Sequence, residues 1–202
     1  FYLMRVFISL NQFCHFSNIP KKLLKRYNIE CIDNPLKRKL TEEDLIRYQG
    51  NCDFILAGTE KISKKVINKN KNLKVISRVG VGIDNIDLKY AKKKQIKIFN
   101  TPSAPSDSVA EFSLALILNS IKQINLMDTR IRKKKWIKLQ GKMINDLNIG
   151  IVGTGNIGSK LIKLLSFLKP KNILAYDRVK KFDLIKKFNV SYVSKKVLLK
   201  NS

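Results

Sequence analysis

The chain has 202 residues, of which 44% are apolar and 28% are charged, and its lysines and arginines outnumber its acids by 41 to 15. This composition excludes collagen-like, disulfide-scaffold and low-complexity proteins, and it supplies enough apolar residues for a buried core. The length predicts one large domain or two small ones. The formal net charge of +26 is the unusual value.

The charge has two interpretations. A basic surface can bind nucleic acid or an anionic membrane, because lysines that neutralise phosphates release counterions. Here the basic residues recur from Lys21 to Lys200, and lysine outnumbers arginine, which bidentate phosphate and base readout prefers. We therefore favour a lysine-rich surface that reflects overall residue usage, and we expect neither nucleic acid nor a membrane as a partner. A nucleic-acid-binding protein is kept as an alternative.

Metal and disulfide sites are not indicated. The cysteines Cys14, Cys31 and Cys52 have no second cysteine two or three positions away, and the one histidine is His15. These spacings predict free thiols in a reducing compartment and no metal site. Arg5 interrupts the apolar N-terminus, which favours a strand over a signal peptide, and no apolar run is long enough to span a bilayer. We expect a cytoplasmic protein.

Short β-rich runs alternate with amphipathic stretches over the first hundred residues. Strands are predicted at residues 5–8, 29–32, 54–57, 73–77 and 96–99. Helices are predicted between them at residues 20–26, 41–48, 63–68 and 87–93, with Thr41 and Ser63 as N-caps. Because parallel strands need crossover connections, this alternation predicts an α/β fold with a doubly wound, flavodoxin-like sheet.

Residues 100–105 interrupt the alternation, because their two prolines remove backbone donors and disfavour helix before them. We place a domain boundary after Pro102. Ser108 and Glu111 then have the spacing of a capping box, which predicts a helix starting at Ser108 and running towards Met127. Its apolar residues lie on more than one face, so we expect this helix to be buried between domains or between subunits.

A glycine-rich turn follows the next apolar strand. Gly153 permits a tight turn, Gly155 lets the backbone approach a pyrophosphate, and Gly158 lets the following helix pack closely on the strand. The start of that helix offers the amides of Asn156 and Ile157 to the phosphate charge. The turn therefore predicts a phosphate-binding site.

The strand after that helix ends in Asp177, which is 177 − 158 = 19 positions after Gly158. A carboxylate there accepts a hydrogen bond from an adenosine ribose and repels a 2′-phosphate, which predicts NAD rather than NADP as the cofactor. Arg178 could weaken that preference by offering a partner to the phosphate. Strand, glycines, helix and acid together predict a dinucleotide-binding Rossmann domain.

Four motifs resemble the substrate loop, hinge, helix start and cofactor motif of the D-isomer-specific 2-hydroxyacid dehydrogenase family. They are residues 73–87, 100–102, 109–111, and 150–158 with 175–177. Residues 34–36 and 57–61 are similar to the phosphoglycerate-dehydrogenase-like branch. The resemblance implies a substrate domain at residues 1–102, followed by the first part of an NAD-binding Rossmann domain at residues 103–202.

The resemblance also implies roles for individual residues. The backbone amides of Val81 and Gly82 receive the substrate carboxylate, and a loop of small residues after a strand can indeed direct consecutive N–H groups at an anion. A plain strand-to-helix turn is the alternative, since such turns use glycine for its conformation alone. Asp84 and Asn85 are expected to cap the helix that follows, and Glu111 to cap its own helix.

The family's catalytic arginine and its acid and histidine pair are expected beyond Ser202. Hydride transfer from a hydroxyl-bearing carbon needs a base near that hydroxyl, and His15 is in the wrong domain. No residue of this chain is therefore predicted to be catalytic, and we expect a fragment of a longer enzyme. Ala57 stands where phosphoglycerate-specific relatives often have an arginine, which argues against phosphoglycerate as the substrate.

The expected function is that of an NAD-dependent oxidoreductase that acts on the CH–OH group of a small D-2-hydroxy acid or reduces the 2-keto acid. The family also implies a homodimer when the protein is full length. The alternative is an NAD(H)-sensing binding protein or co-repressor-type protein without turnover.

Overall fold

The computed structural model describes residues 3–202. The chain divides into two compact units, the first ending at Ala104 and the second spanning Pro105–Ser202. Each unit has its own parallel sheet and its own hydrophobic core. That the first unit is a substrate domain and the second an NAD-binding domain stays a prediction.

The first unit alternates strands with helices. Its strands are β1 (Met4–Ile8), β2 (Ile29–Asp33), β3 (Phe54–Ala57), β4 (Val75–Arg78) and β5 (Lys97–Asn100). Its helices are α1 (Ile19–Arg26), α2 (Glu42–Tyr48), α3 (Lys64–Lys69) and α4 (Leu88–Lys93). The strands are parallel in the order β2-β1-β3-β4-β5, which is the flavodoxin-like order, so the predicted α/β class and doubly wound sheet are confirmed.

The fourth strand is displaced from its prediction. It begins at Val75, whereas the sequence suggested Leu73, because the amides of Lys74 and Val75 both donate to the carbonyl of Asp53. That shared acceptor marks where the chain enters the sheet. The core is built around the three middle strands of the sheet, where Phe7, Ile55 and Ile76 are fully buried.

The second unit begins with two helices and continues as alternating strands and helices. Its elements are α5 (Ser106–Lys122), α6 (Ile124–Arg132), a 3-10 turn (Ile144–Asp146), β6 (Asn148–Val152), α7 (Asn156–Phe167), β7 (Asn172–Tyr176), α8 (Phe182–Phe188), β8 (Val190–Tyr192) and α9 (Lys195–Asn201). The three strands are parallel in the order β6-β7-β8. Ile162 and Leu165 of α7 are fully buried against this sheet, and Leu114 and Ile117 of α5 pack on the same core.

The predicted start of α5 was wrong. Pro105 is the N-cap of this helix, and its carbonyl accepts from the amide of Val109 at 2.9 Å. Ser108 therefore already lies in the first turn and cannot cap, and Glu111 is too far along the helix to complete a capping box. The helix also stops before Met127, because Gln123 adopts the left-handed conformation and separates α5 from α6.

Six of the helices end at a residue in the left-handed conformation that is not glycine. Their φ angles lie between 49° and 59°. The residues are Asn28 after α1, Gln95 after α4, Gln123 after α5, Lys134 after α6, Lys169 after α7 and Asn189 after α8. Glycine is the usual residue at such positions, and this chain has only nine glycines to place.

Within residues 3–202, no helix combines the length and the apolar character that crossing a membrane requires.

Candidate functional site

The glycine-rich turn connects β6 to α7. Gly153 has a φ of +94°, and its amide donates to the carbonyl of Tyr176 at 2.8 Å. A Cβ on Gly155 would meet no atom within 4 Å, whereas a Cβ on Gly158 would lie 2.0 Å from the carbonyl oxygen of Gly153. The three glycines thus differ in what they do: one turns the chain, one leaves space open, and one allows close packing.

The open space lies at the start of α7. Gly155 is the N-cap of that helix, and Asn156 and Ile157 are its first two residues. First-turn amides have no acceptor within their own helix, and they carry the positive end of the helix dipole. The turn therefore has room for an anionic group and directs positive partial charge at that space, which fits a dinucleotide pyrophosphate.

Asp177 follows β7 and is tied to the glycine turn. Its Oδ2 accepts from the amide of Thr154 at 2.6 Å and from the Thr154 hydroxyl at 3.1 Å. The Thr154 amide and then its hydroxyl hold the pKa of this carboxyl below its usual range. Its Oδ1 accepts a long bond from the amide of Val179 at 3.4 Å, and the charged carboxylate can still accept from a ribose hydroxyl.

Four further residues support this arrangement, and the sequence did not single them out. Besides Thr154, they are Ser159, Lys181 and Tyr192. The Tyr192 hydroxyl donates to Thr154 Oγ1 at 2.9 Å and accepts from the amide of Lys181 at 3.1 Å. Ser159 Oγ donates to the Thr154 carbonyl at 2.7 Å and accepts from Lys181 Nζ at 3.1 Å. Thr154 was recognisable from its place between two glycines, but nothing local in the sequence marks Tyr192.

The second candidate segment is the loop after β4, residues 79–84. Gly80 has a φ of +143°, and its amide donates to Thr101 Oγ1 at 2.8 Å. The carbonyl of Val81 accepts from Asn100 Nδ2 at 2.7 Å. The amides of Val81 and Gly82 have no hydrogen-bond acceptor among residues 3–202, and both residues are exposed. The loop therefore presents two adjacent donors that an anion could use.

Arg78 lies across this loop. A Cβ on Gly80 would come within 1.1 Å of Arg78 Nη1, so only glycine leaves room for the guanidinium there. Nη1 donates to the carbonyl of Val79 at 2.8 Å, while the buried Nε has no acceptor in the part of the chain that the structure describes. The sequence did not indicate a role for Arg78, whose guanidinium brings a cation to the start of the loop, at Val79 and Gly80.

The capping roles predicted for Asp84 and Asn85 were wrong. Asp87 is the N-cap of α4, and its side chain accepts from the amide of Tyr90 at 2.9 Å. Asn85 instead turns back towards the loop after β3, where its Nδ2 donates to two backbone carbonyls. The carboxylate of Asp84 lies near Gly82, where an added Cβ would meet Asp84 Oδ1 at 2.7 Å.

No cluster of three or more His, Cys, Asp or Glu side chains suited to a metal ion occurs within residues 3–202. His15 packs edge-on against Phe16, with ring centroids 4.9 Å apart. Cys14, Cys31 and Cys52 are free thiols, and burial raises the pKa of the latter two.

Comparison with known proteins identifies the family. Residues 11–198 match the family described as D-isomer specific 2-hydroxyacid dehydrogenase, catalytic domain. The chain belongs to this family. The resemblance found in the sequence motifs is thereby confirmed.

Individual relatives agree with this assignment. The chain is 36% identical over 167 residues to a hydroxypyruvate reductase of Thermotoga maritima and 32% identical over 170 residues to a D-3-phosphoglycerate dehydrogenase of Archaeoglobus fulgidus. These matches cover 81% and 83% of this chain. Among solved structures, D-lactate dehydrogenase from Aquifex aeolicus, complexed with NAD and lactic acid, is 30% identical with a TM-score of 0.78 and is matched over 98% of this chain.

A fold of the same kind occurs in a D-isomer specific 2-hydroxyacid dehydrogenase from Polaromonas, with a TM-score of 0.85 at 23% identity. The chain spans 53% of the Thermotoga protein, 32% of the Archaeoglobus protein and 58% of the Aquifex protein. The structural match with the Polaromonas protein covers 100% of this chain and 63% of that protein.

Proposed function

We propose that the protein is an NAD-dependent oxidoreductase that acts on the CH–OH group of a small D-2-hydroxy acid or reduces the corresponding 2-keto acid. The observation that carries this proposal is the open turn at Gly155 beside the charged Asp177, in a chain of this family. The Aquifex relative, which is complexed with NAD and lactic acid, supports it.

The residues of the second unit bind and orient the cofactor in this proposal. The turn from Gly153 to Gly158, with the amides of Asn156 and Ile157, holds the pyrophosphate, and Asp177 accepts from the adenosine ribose. The nicotinamide, when bound, supplies the hydride or accepts it. Thr154 keeps Asp177 ionised and in place, so the acceptor exists before the cofactor arrives.

The loop of the first unit binds the substrate carboxylate in this proposal. Val81 and Gly82 donate through their free amides, and Arg78 adds a positive charge beside them. The base for the hydroxyl proton is not assigned to any residue of this chain, because His15 contacts Phe16 and lies outside both groups of site residues. We expect the 202-residue chain to bind cofactor and acid without turnover.

The substrate within this class follows less directly. A hydroxypyruvate reductase and a D-3-phosphoglycerate dehydrogenase both match at similar identity, so the phosphoglycerate-dehydrogenase-like branch is compatible with more than one acid. Ala57 is fully buried at the end of β3 and offers no cation to a phosphate. We therefore propose a small unphosphorylated acid as the substrate.

The proposal includes a homodimer in the cytoplasm as the working form of the full-length protein. Val109, Phe112 and Leu116 lie along one side of α5 and are exposed in the single chain. Such a row of apolar side chains is suited to a second copy of the same helix.

Titration of the chain with NADH tests the cofactor site. We expect binding by the wild type and loss of at least about a hundred-fold in affinity for Gly155→Val, because the valine side chain fills the space of the pyrophosphate. The chain should still fold, since the added Cβ meets no atom. Lys163→Val, on the exposed side of the same helix, is the matched control and should bind as the wild type does.

Binding of NADPH tests the cofactor preference. We expect NADH to bind at least about ten-fold more tightly than NADPH, because Asp177 repels a 2′-phosphate. Asp177→Asn should narrow the difference, and Arg178→Ala should widen it if the guanidinium helps to hold the phosphate. Equal affinities for the wild type would contradict the assignment of Asp177, and wild-type NADH binding that Gly155→Val leaves unchanged would contradict the site itself.

A further inference from the structure

The loop after β3 contains a buried carboxylate that the proposed function does not use. Glu60 is 3% exposed, and its Oε1 accepts from the amide of Gly58 at 2.8 Å and contacts the hydroxyl of Ser9, whose single proton has a second acceptor in the Leu56 carbonyl at 2.8 Å. Ser9 is 2% exposed. No Lys, Arg or His forms an ion pair with Glu60 within residues 3–202, so its polar contacts are with neutral groups.

The position of Glu60 in the fold is specific. β1 and β3 are neighbours in the sheet although β2 lies between them in sequence, so the chain reverses direction across the sheet at this point. In open parallel sheets, ligands bind in the crevice at the carboxyl ends of such strands. Here Ser9 follows β1 and Gly58 follows β3, and Glu60 Oε1 contacts both the Ser9 hydroxyl and the Gly58 amide. The Glu60 carboxyl therefore lies at the carboxyl ends of these two strands, where a ligand would otherwise be expected.

This carboxylate is connected to the anion-binding loop through Asn85. Asn85 Nδ2 donates to the carbonyl of Glu60 at 2.7 Å and to that of Gly58 at 3.2 Å. The carbonyl of Asn85 accepts from the amide of Ile62 at 2.8 Å. The far end of residues 79–84 is therefore fastened to the segment that Glu60 holds, while Thr101 and Asn100 fasten the near end.

We propose that Glu60 is an internal ligand of the β1–β3 crevice and a positioning residue for the substrate loop, acting through Asn85. The side chain fixes the segment from Gly58 to Glu60, whose two carbonyls then hold Asn85. The amides of Val81 and Gly82 thereby stay directed at one point. This inference rests on the proposed function where it concerns substrate, but the ordering of the loop does not depend on it.

The proposal is tested by removing the Glu60 side chain and by supplying the missing carboxylate as acetate in solution. In Glu60→Ala the lost atoms correspond to acetate, and the donors Ser9 Oγ and Gly58 N remain. For the 15N-labelled chain, we expect the order parameters of Val81 and Gly82 to fall below about 0.6 in this variant and to return with excess sodium acetate. Acetamide, which has the same shape without the charge, should restore them less, and sodium chloride should not.

Affinity for oxalate, a mimic of a 2-keto acid, is the second readout. We expect Glu60→Ala to bind oxalate about ten-fold more weakly than the wild type, which corresponds to one lost hydrogen-bonded anchor. Acetate should recover most of that loss, and wild type in the same acetate corrects for competition at the loop. Glu43→Ala, which removes an exposed carboxylate on α2, is the matched control and should change neither readout.

Asn85→Ala removes the side chain through which Glu60 is proposed to act on the loop, without removing Glu60 itself. It leaves Glu60 and its donors in place, so we expect the same loss of loop order with no recovery in acetate. This variant and Glu60→Gln also serve if Glu60→Ala does not fold; the glutamine still accepts from Gly58 and should keep the loop ordered.

Unchanged order parameters in Asn85→Ala, or in a folded Glu60→Ala, would overturn the proposal. A loss that acetate does not repair in Glu60→Ala would reduce Glu60 to a packing residue and would overturn it as well. If the wild type binds no oxalate, the substrate role of the loop fails, while the order parameters still decide whether Glu60 positions it.

Discussion

The loop at residues 79–84 and the turn at residues 153–158 do the same task by different means. Both follow a parallel strand, and both present backbone amides at a place where an anion could bind. The turn achieves this locally, through a helix start and glycines within six positions. The loop relies on side chains far away in sequence, with Thr101 and Asn100 at one end and Asn85, bound to the β3 loop, at the other.

This difference has a consequence for how each segment responds to substitution. The turn is sensitive at positions within itself, since a single added Cβ can meet backbone that cannot move. The loop has one such position in Gly80, whose φ is +143°, but its exposed residues Val81 and Gly82 depend on the distant residues that hold the loop. Substitutions in each region can therefore test this difference.

The largest effect on stability is expected at Gly158. Alanine in a helix interior ordinarily stabilises relative to glycine, but here its Cβ would lie 2.0 Å from the Gly153 carbonyl oxygen. We expect Gly158→Ala to lower the free energy of unfolding by about 1–3 kcal/mol. Urea denaturation followed by circular dichroism measures this, with Gly155→Ala as the neutral control. A variant as stable as the wild type would show that the turn tolerates more than its packing suggests.

For the loop at residues 79–84, the largest effect is expected at Thr101, which holds the loop through the amide of Gly80. Thr101→Val keeps the shape but leaves the half-buried amide of Gly80 without its acceptor. The expected loss is about 1–2 kcal/mol, because a donor is left unpaired. Thr101→Ser keeps the hydroxyl and should recover most of it in the same urea measurement. Equal stability of the valine and serine variants would mean that water replaces the hydroxyl.

The turn also has supports that are distant in sequence, and removal of the Tyr192 hydroxyl tests how local the turn is. Tyr192→Phe deletes the hydroxyl that joins Thr154 to the amide of Lys181. We expect a loss of about 0.5–1.5 kcal/mol in unfolding free energy. Tyr176→Phe removes a hydroxyl that has no partner among the described residues, and it should change the free energy less. A larger loss in Tyr192→Phe than in Thr101→Val would contradict the contrast between the two regions.

The smallest effect concerns pH. The pKa of Asp177 is lowered by the amide and hydroxyl of Thr154, so the folded carboxyl ionises at lower pH than the unfolded one. Its contribution to stability is therefore complete above the unfolded pKa of about 3.9 and is lost as the pH falls through the lower folded value. Carboxyl NMR titration should show this lowered pKa, and Thr154→Val should raise it part of the way, since the valine retains the backbone amide. A pKa unchanged in Thr154→Val would assign the whole shift to the amide.

The same contrast explains how much could be predicted from the sequence. The alternation of strands and helices, the parallel sheets and the glycine turn were all accessible, because hydrophobic period, crossover connections and glycine spacing act over short stretches of chain. Thr41 was predicted as a cap, and the structure shows its full capping box with Asp44. Local rules sufficed wherever the contact itself was local.

Prediction failed where a local pattern had a competitor. Ser108 and Glu111 fit a capping box, but Pro105, with its fixed φ, starts the helix earlier and places Ser108 inside it. Asp84 and Asn85 precede a helix, but Asp87 is closer and takes the cap, which leaves Asn85 for two carbonyls more than twenty residues away. Tyr192 and Glu60 were missed because their partners are set only once the strands are in register.

The non-glycine residues in the left-handed conformation at the helix ends suggest how the protein could be made more stable. At positions such as Gln95, Gln123 and Asn189, a side chain occupies backbone conformations in which it is crowded by the neighbouring carbonyl, at a cost of about 1 kcal/mol for a residue with a Cβ. Asparagine tolerates this best, so glycine at Gln95 or Gln123 should gain more than glycine at Asn189. Because the chain is rich in lysine and poor in glycine, the ends of six helices keep residues that glycine could replace with a gain in stability.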